Sequence, residues 1–147
     1  MRGQLMPART ERGWHVITAG PVLDIMYHDD RRLAGHEGDG IRRRTIVIAV
    51  KGPNRQRRRI QRIRLDPFSE GAHGHILPRP GEPQFPLVLR EGQAPLDAAL
   101  EILGTRNKLR PMLAKARVAN LLLERITREN CMRAATAIRT IAETHAA

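Results

Sequence analysis

Two histidines separated by a single residue, His73-Gly74-His75, close a stretch that also holds two carboxylates: Arg64-Leu65-Asp66-Pro67-Phe68-Ser69-Glu70-Gly71-Ala72-His73-Gly74-His75. On an extended strand, residues i and i+2 point to one face, so both imidazoles stand side by side. That is the geometry of a metal-ligand pair, with Asp66 or Glu70 completing a nitrogen–oxygen donor set for a divalent ion. His73, His75, Asp66 and Glu70 are therefore the candidate metal ligands. Proton chemistry is open to the same residues, and His73, His75 and Asp66 are also the candidate catalytic groups. One imidazole would act as general base and the other as general acid, while Arg62 or Arg64 stabilised a phosphoryl oxyanion in ribonuclease-type chemistry on RNA. Neither His-Glu-x-x-His nor a Cys/His set occurs. The plain alternative is a turn at Asp66-Pro67 and Gly71, with both histidines exposed at the mouth of a hairpin.

A second chemistry is electrostatic. Arg42, Arg43, Arg44, Arg55, Arg57, Arg58, Arg59, Arg62 and Arg64 crowd into one region of a chain whose formal net charge is +11. With a period of two, Ile63 and Leu65 take one strand face, and Arg58, Arg62 and Arg64 take the other beside Ile60. Such a face suits a non-catalytic module for nucleic acid or an acidic protein, with Arg57, Arg58, Arg62 and Arg64 as contacts. An aromatic content of 3% is poor for stacking single-stranded bases, so duplex or structured RNA fits better. Only Lys51, Lys108 and Lys115 are lysine among the 26 basic residues. That bias matches GC-rich coding, and a solvated arginine face that protects a sheet edge is the competing explanation.

The elements that must position these residues divide the chain at the focal stretch. Before it come strands: 14–18, 22–27 with Leu23, Ile25 and Tyr27 on one face, and 43–50, whose β-branched residues on both faces predict a central strand. Residues 28–40 are polar and Gly-rich and read as a long loop, where His28, Asp29, Asp30, His36, Glu37 and Asp39 offer hard-metal ligand types without EF-hand spacing. After the focal stretch, Pro78, Pro80, Pro83 and Pro86 break regular structure, and residues 85–89 supply a last short strand. Beyond Gly92 the period becomes helical. One helix starts at Pro95, a second starts at Pro111 and runs to Ile126, and a third runs from about Asn130 to near His145.

The fold class expected is α+β: an antiparallel sheet of four to six strands over 14–89, packed by a C-terminal three-helix segment over 95–144. Residues 1–13 read as a flexible tail and 14–147 as a single domain, which a length of 147 residues and a hydrophobic fraction of 41% can support. No apolar run approaches the roughly 20 residues that span a bilayer, and no secretory h-region follows Met1, so a cytoplasmic location is expected. The single cysteine, Cys131, excludes an internal disulfide and a cysteine-based zinc site.

Several of these segments resemble an uncharacterised bacterial domain family. They are the strand ending Arg64-Leu65-Asp66-Pro67-Phe68, the His73-Gly74-His75 step, Pro95-Leu96-Asp97-Ala98-Ala99-Leu100 and Leu109-Arg110-Pro111-Met112-Leu113. Members of that family carry Asp-Cys-Phe, then Pro-His-Tyr-His and a helical tail. The resemblance spans about residues 43 to 141. This chain departs from the pattern at Pro67, Ala72 and Gly74, where the family has Cys, Pro and Tyr. The resemblance implies a role for Asp66, His73 and His75, and implies no particular reaction.

Overall fold

The β-branched run at 45–50 lies in the middle of a seven-stranded antiparallel sheet. The structure, a computed structural model, describes residues 8–30, 43–52, 58–68, 71–77 and 83–144. Its strands are β1 (Ala8–Glu11), β2 (Trp14–Ala19), β3 (Leu23–Asp30), β4 (Arg43–Lys51), β5 (Arg59–Asp66), β6 (His73–Ile76) and β7 (Gln84–Pro86). They follow one another across the sheet in chain order. Four helices then follow: α1 (Pro95–Gly104), α2 (Arg106–Lys115), α3 (Asn120–Leu123) and α4 (Arg128–Thr144). The α+β class is as expected, with more strands than the sequence indicated.

The extra strand comes from residues expected in the tail. Ala8–Glu11 pairs with β2 from Ala8↔Ile17 to Glu11↔Trp14. Arg12 and Gly13, with φ of 50° and 86°, supply the left-handed turn that joins a tight hairpin. The expected loop at 28–40 also begins later, because β3 continues to Asp30 and pairs with β4 as far as Asp30↔Arg43. His28 and Asp29 therefore alternate across the sheet and cannot share an ion. His36, Glu37 and Asp39 lie outside the described residues.

Strand β4 is apolar on both faces, as a central strand should be. Ile46, Ile48 and Val50 join Ile17, Leu23, Ile25, Tyr27, Ile63 and Leu65 in the main core, which the helices cover. Val47 and Ala49 lie on the other face with Val16 and Met26, packed by Trp14. Among the described residues, only the first face carries helices.

A β-bulge interrupts the β4–β5 ladder. Ile48 pairs with Ile63 but Ala49 pairs with Gln61, which leaves Arg62 as the extra residue. A bulge resets the in–out alternation. Arg62 accordingly reaches the helical side and donates from Nη1 to the Ala116 carbonyl at 3.1 Å. The expected face shared by Arg58, Arg62 and Arg64 does not form.

In the helical layer, α1 starts at Pro95 as expected. Helix α2 starts at Arg106 rather than at Pro111, which lies inside it. Burial of Leu109 and Leu113, one turn apart on the core side, offsets the roughly 3 kcal/mol that an internal proline costs. The helix expected to run on to Ile126 is divided at Arg117, whose φ is 66°. There the Val118 N–H bonds to the Leu113 carbonyl and the Arg117 N–H to the Ala114 carbonyl. This is the hydrogen-bond pattern of a left-handed helix stop, so the expected three helices become four. Helix α4 begins two residues earlier than Asn130, because Thr127 Oγ1 accepts the Asn130 N–H and caps its start. Among the described residues, no helix is long and apolar enough to cross a membrane.

Candidate metal centre

The site is assembled by the β5–β6 hairpin, and its layout follows from strand register. Asp66 lies opposite His73 and Arg64 opposite His75. Residues i and i+2 share a face on each strand, so all four side chains form a two-by-two block on the face opposite the described helices. Between the histidines, Gly74 points the other way, toward the ring of Phe85 on β7. A Cβ at Gly74 would lie 2.3 Å from Phe85 Cζ. The glycine is needed because the phenyl ring already fills that space.

One carboxylate oxygen gathers the block. Asp66 Oδ2 is 3.2 Å from His73 Nε2, 3.3 Å from His75 Nε2 and 3.1 Å from Arg64 Nε. The two Nε2 atoms are 3.1 Å apart. Arg64 also places Nη2 2.9 Å from His75 Nε2. Asp66 is 2% exposed and His75 4%, while His73 is half-buried and carries Phe68 edge-on against its ring. Burial makes an unmatched polar group here costly.

Hydrogen bonding defines the state of His73. Its Nδ1 lies 2.7 Å from the Gly71 carbonyl, and a carbonyl only accepts, so Nδ1 carries the proton. With the proton on Nδ1, the neutral ring would present its Nε2 lone pair toward Asp66 Oδ2 and His75 Nε2, whereas the imidazolium would donate Nε2–H to Asp66 Oδ2 at 3.2 Å. A ring nitrogen bonded to a backbone carbonyl behind, with its partner nitrogen free in front, is the usual setting of a metal-ligating histidine. Gly71 makes this contact from a backbone with φ of 72°, which glycine adopts without strain.

Neither neutral tautomer satisfies His75. If Nε2 is the acceptor, it accepts a hydrogen bond from Arg64 Nη2–H, and Nδ1–H is buried without a hydrogen-bond partner among the described residues. If Nε2 carries the proton, it can donate to Asp66 or His73 but then confronts the Arg64 N–H. With Nε2 as acceptor, three electron-rich atoms converge on one point. The described Asp, Glu, His and Cys residues form one such group with metal-binding potential: Asp66, His73 and His75.

The sequence-derived residues separate clearly. Asp66, His73 and His75 come together, and Arg64 joins them as a hydrogen-bond partner. Glu70 and Arg57 lie outside the described residues. Arg58 is exposed and lies just before β5. Arg62 leaves for the helical side, and Arg59 is engaged by Asp24 at 2.9 Å and Glu11 at 3.1 Å. Sequence reasoning did not reach the Gly71 carbonyl, Phe68 or Phe85. Phe68 was within reach, because it stands two residues beyond Asp66; nothing in the spacing marks Phe85. No protein-family model, curated protein or solved structure matches the chain, so the functional reading rests on the geometry of this block.

Proposed function

We propose that this domain binds a divalent metal ion of the zinc class through Asp66 Oδ2, His73 Nε2 and His75 Nε2. The observation that carries the reading is the triangle these atoms make, with edges of 3.1, 3.2 and 3.3 Å. Metal–ligand bonds of about 2.0–2.1 Å give ligand–ligand edges of roughly 3.3 Å in a tetrahedron and 3.0 Å in an octahedron. Three atoms spaced in this way cap an ion from one side.

Three protein ligands leave the outward positions for water or substrate, which distinguishes a catalytic arrangement from a closed structural site. Two histidines and one carboxylate serve catalytic zinc and also non-haem iron(II). The two-histidine acid–base reading is less well supported. Two nitrogens 3.1 Å apart leave no room for a scissile phosphate between them.

Zinc titrated against a chromophoric chelator tests the proposal. Wild type is expected to take up a single equivalent and to melt at higher temperature with zinc, and Asp66→Asn to lose both responses. At a free-ion concentration of about 100 times Kd, the added stability should be about 2.7 kcal/mol. Nickel, manganese and iron(II) in the same format identify the preferred ion. A melting curve indifferent to every one of these ions overturns the reading.

A further inference from the structure

Resting on the metal reading above, we propose that Arg64 is an exchangeable arm. In the present arrangement it closes the donor triangle, and once an ion displaces it, it recognises the phosphate group of a phosphoester at the ion's outward positions. The guanidinium forks over two vertices of the triangle, with Nε on Asp66 Oδ2 at 3.1 Å and Nη2 on His75 Nε2 at 2.9 Å. The lone pair on His75 Nε2 cannot serve both Arg64 and a metal. A divalent cation beside a guanidinium is also strongly repelled. Metal binding and the present position of Arg64 are therefore mutually exclusive.

Arg64 is built to leave, and its partners are not. Its side chain is 37% exposed, against 3% for Asp66 and 6% for His75. Its backbone stays fixed on β5 directly across from His75, so the displaced guanidinium remains within a side chain's length of the ion. It then carries an unneutralised charge on the ion's open side. A planar fork beside a metal matches a tetrahedral oxyanion, with one oxygen on the ion and two on the guanidinium. The formal net charge of +11 favours phosphate-bearing ligands approaching such a site.

Cobalt(II) titration followed by visible absorption tests this in the full chain, using wild type, Arg64→Ala and Arg64→Gln. Phenyl phosphate and acetate serve as the oxyanion probes, and circular dichroism verifies that each variant is folded. Without oxyanion, both variants should hold cobalt about tenfold more tightly than wild type, equivalent to about 1.4 kcal/mol. Phenyl phosphate should tighten cobalt binding and alter its spectrum in wild type, and should do neither in the two variants. Unchanged cobalt affinity in the variants, or phosphate coupling that survives in them, overturns the role of Arg64 while leaving the metal site intact. Acetate acting as well as phenyl phosphate overturns the assignment to phosphate. Cobalt failing to bind wild type and both variants overturns the metal reading itself.

Discussion

His73 Nε2 stands 3.1 Å from His75 Nε2, yet the two rings are anchored differently. His73 is half-buried and held from behind by the Gly71 carbonyl, whereas His75 is 4% exposed and its Nδ1 has no hydrogen-bond partner among the described residues. The two substitutions to alanine should therefore separate binding from folding. His73→Ala and His75→Ala should each abolish tight zinc uptake. Only His75→Ala should lower stability in urea clearly, by about 1–3 kcal/mol, as a lost buried side chain does; His73→Ala should stay within about 1 kcal/mol of wild type. Equal loss of stability in the two variants would contradict the assigned burial.

The glycine between the two histidines gives a packing test. Gly74→Ala places a methyl group 2.3 Å from Phe85 Cζ, so the phenyl ring or the β6–β7 pairing must shift. Overpacking of this kind costs about 1–3 kcal/mol. The shift falls on the residue that sets the separation of His73 from His75, so metal affinity should fall with stability. Adding Phe85→Ala should recover part of both losses, giving a non-additive pair in a double-mutant cycle. Additive losses would place the clash elsewhere.

The block of Asp66, His73 and His75 was legible because it depends on local information. A period of two and a short hairpin place i and i+2 together, and the same logic put Leu23, Ile25 and Tyr27 on one face of β3. What was not legible depends on partners distant in sequence. The bulge at Arg62 is a property of two strands meeting, and nothing in Arg59-Ile60-Gln61-Arg62 alone announces it. The division of the helix at Arg117 is similar, since a non-glycine residue at φ 66° is held there by the helix stop around it. Likewise Ala8–Glu11 has no hydrophobic signature of a strand, because it is an exposed edge strand.

Arg62 tests the electrostatic alternative. Its guanidinium bonds to the Ala116 carbonyl at the end of α2, where a cation also meets the negative end of the helix dipole. Arg62→Ala should lower stability by about 1.5–3 kcal/mol, the range for a hydrogen bond with one charged partner. It should leave any affinity for duplex RNA, and the salt dependence of that affinity, unchanged. A fall of about one in the slope of log affinity against log salt would instead identify Arg62 as a phosphate contact.

Away from the proposed metal site, pH should act on stability through Glu101. Glu101 on α1 is held at a pKa of about 2, below its ordinary 4.5, first by the hydrogen bond from Arg90 and then by that from Lys108. Arg90 Nη2 lies 2.7 Å from Glu101 Oε1, and Lys108 reaches the other oxygen from α2. Because the folded-state value is depressed, the carboxylate adds stability above about pH 4.5 and loses that contribution as pH falls toward about 2. Glu101→Gln should therefore melt below wild type at pH 7, and the gap should narrow steadily between about pH 4.5 and 2. The pair is solvent-accessible, so molar salt should also shrink the gap at pH 7. A gap between the two melting temperatures that stays constant from pH 7 to pH 3 would show that the Arg90–Glu101–Lys108 cluster does not join α1 to α2 in the folded chain.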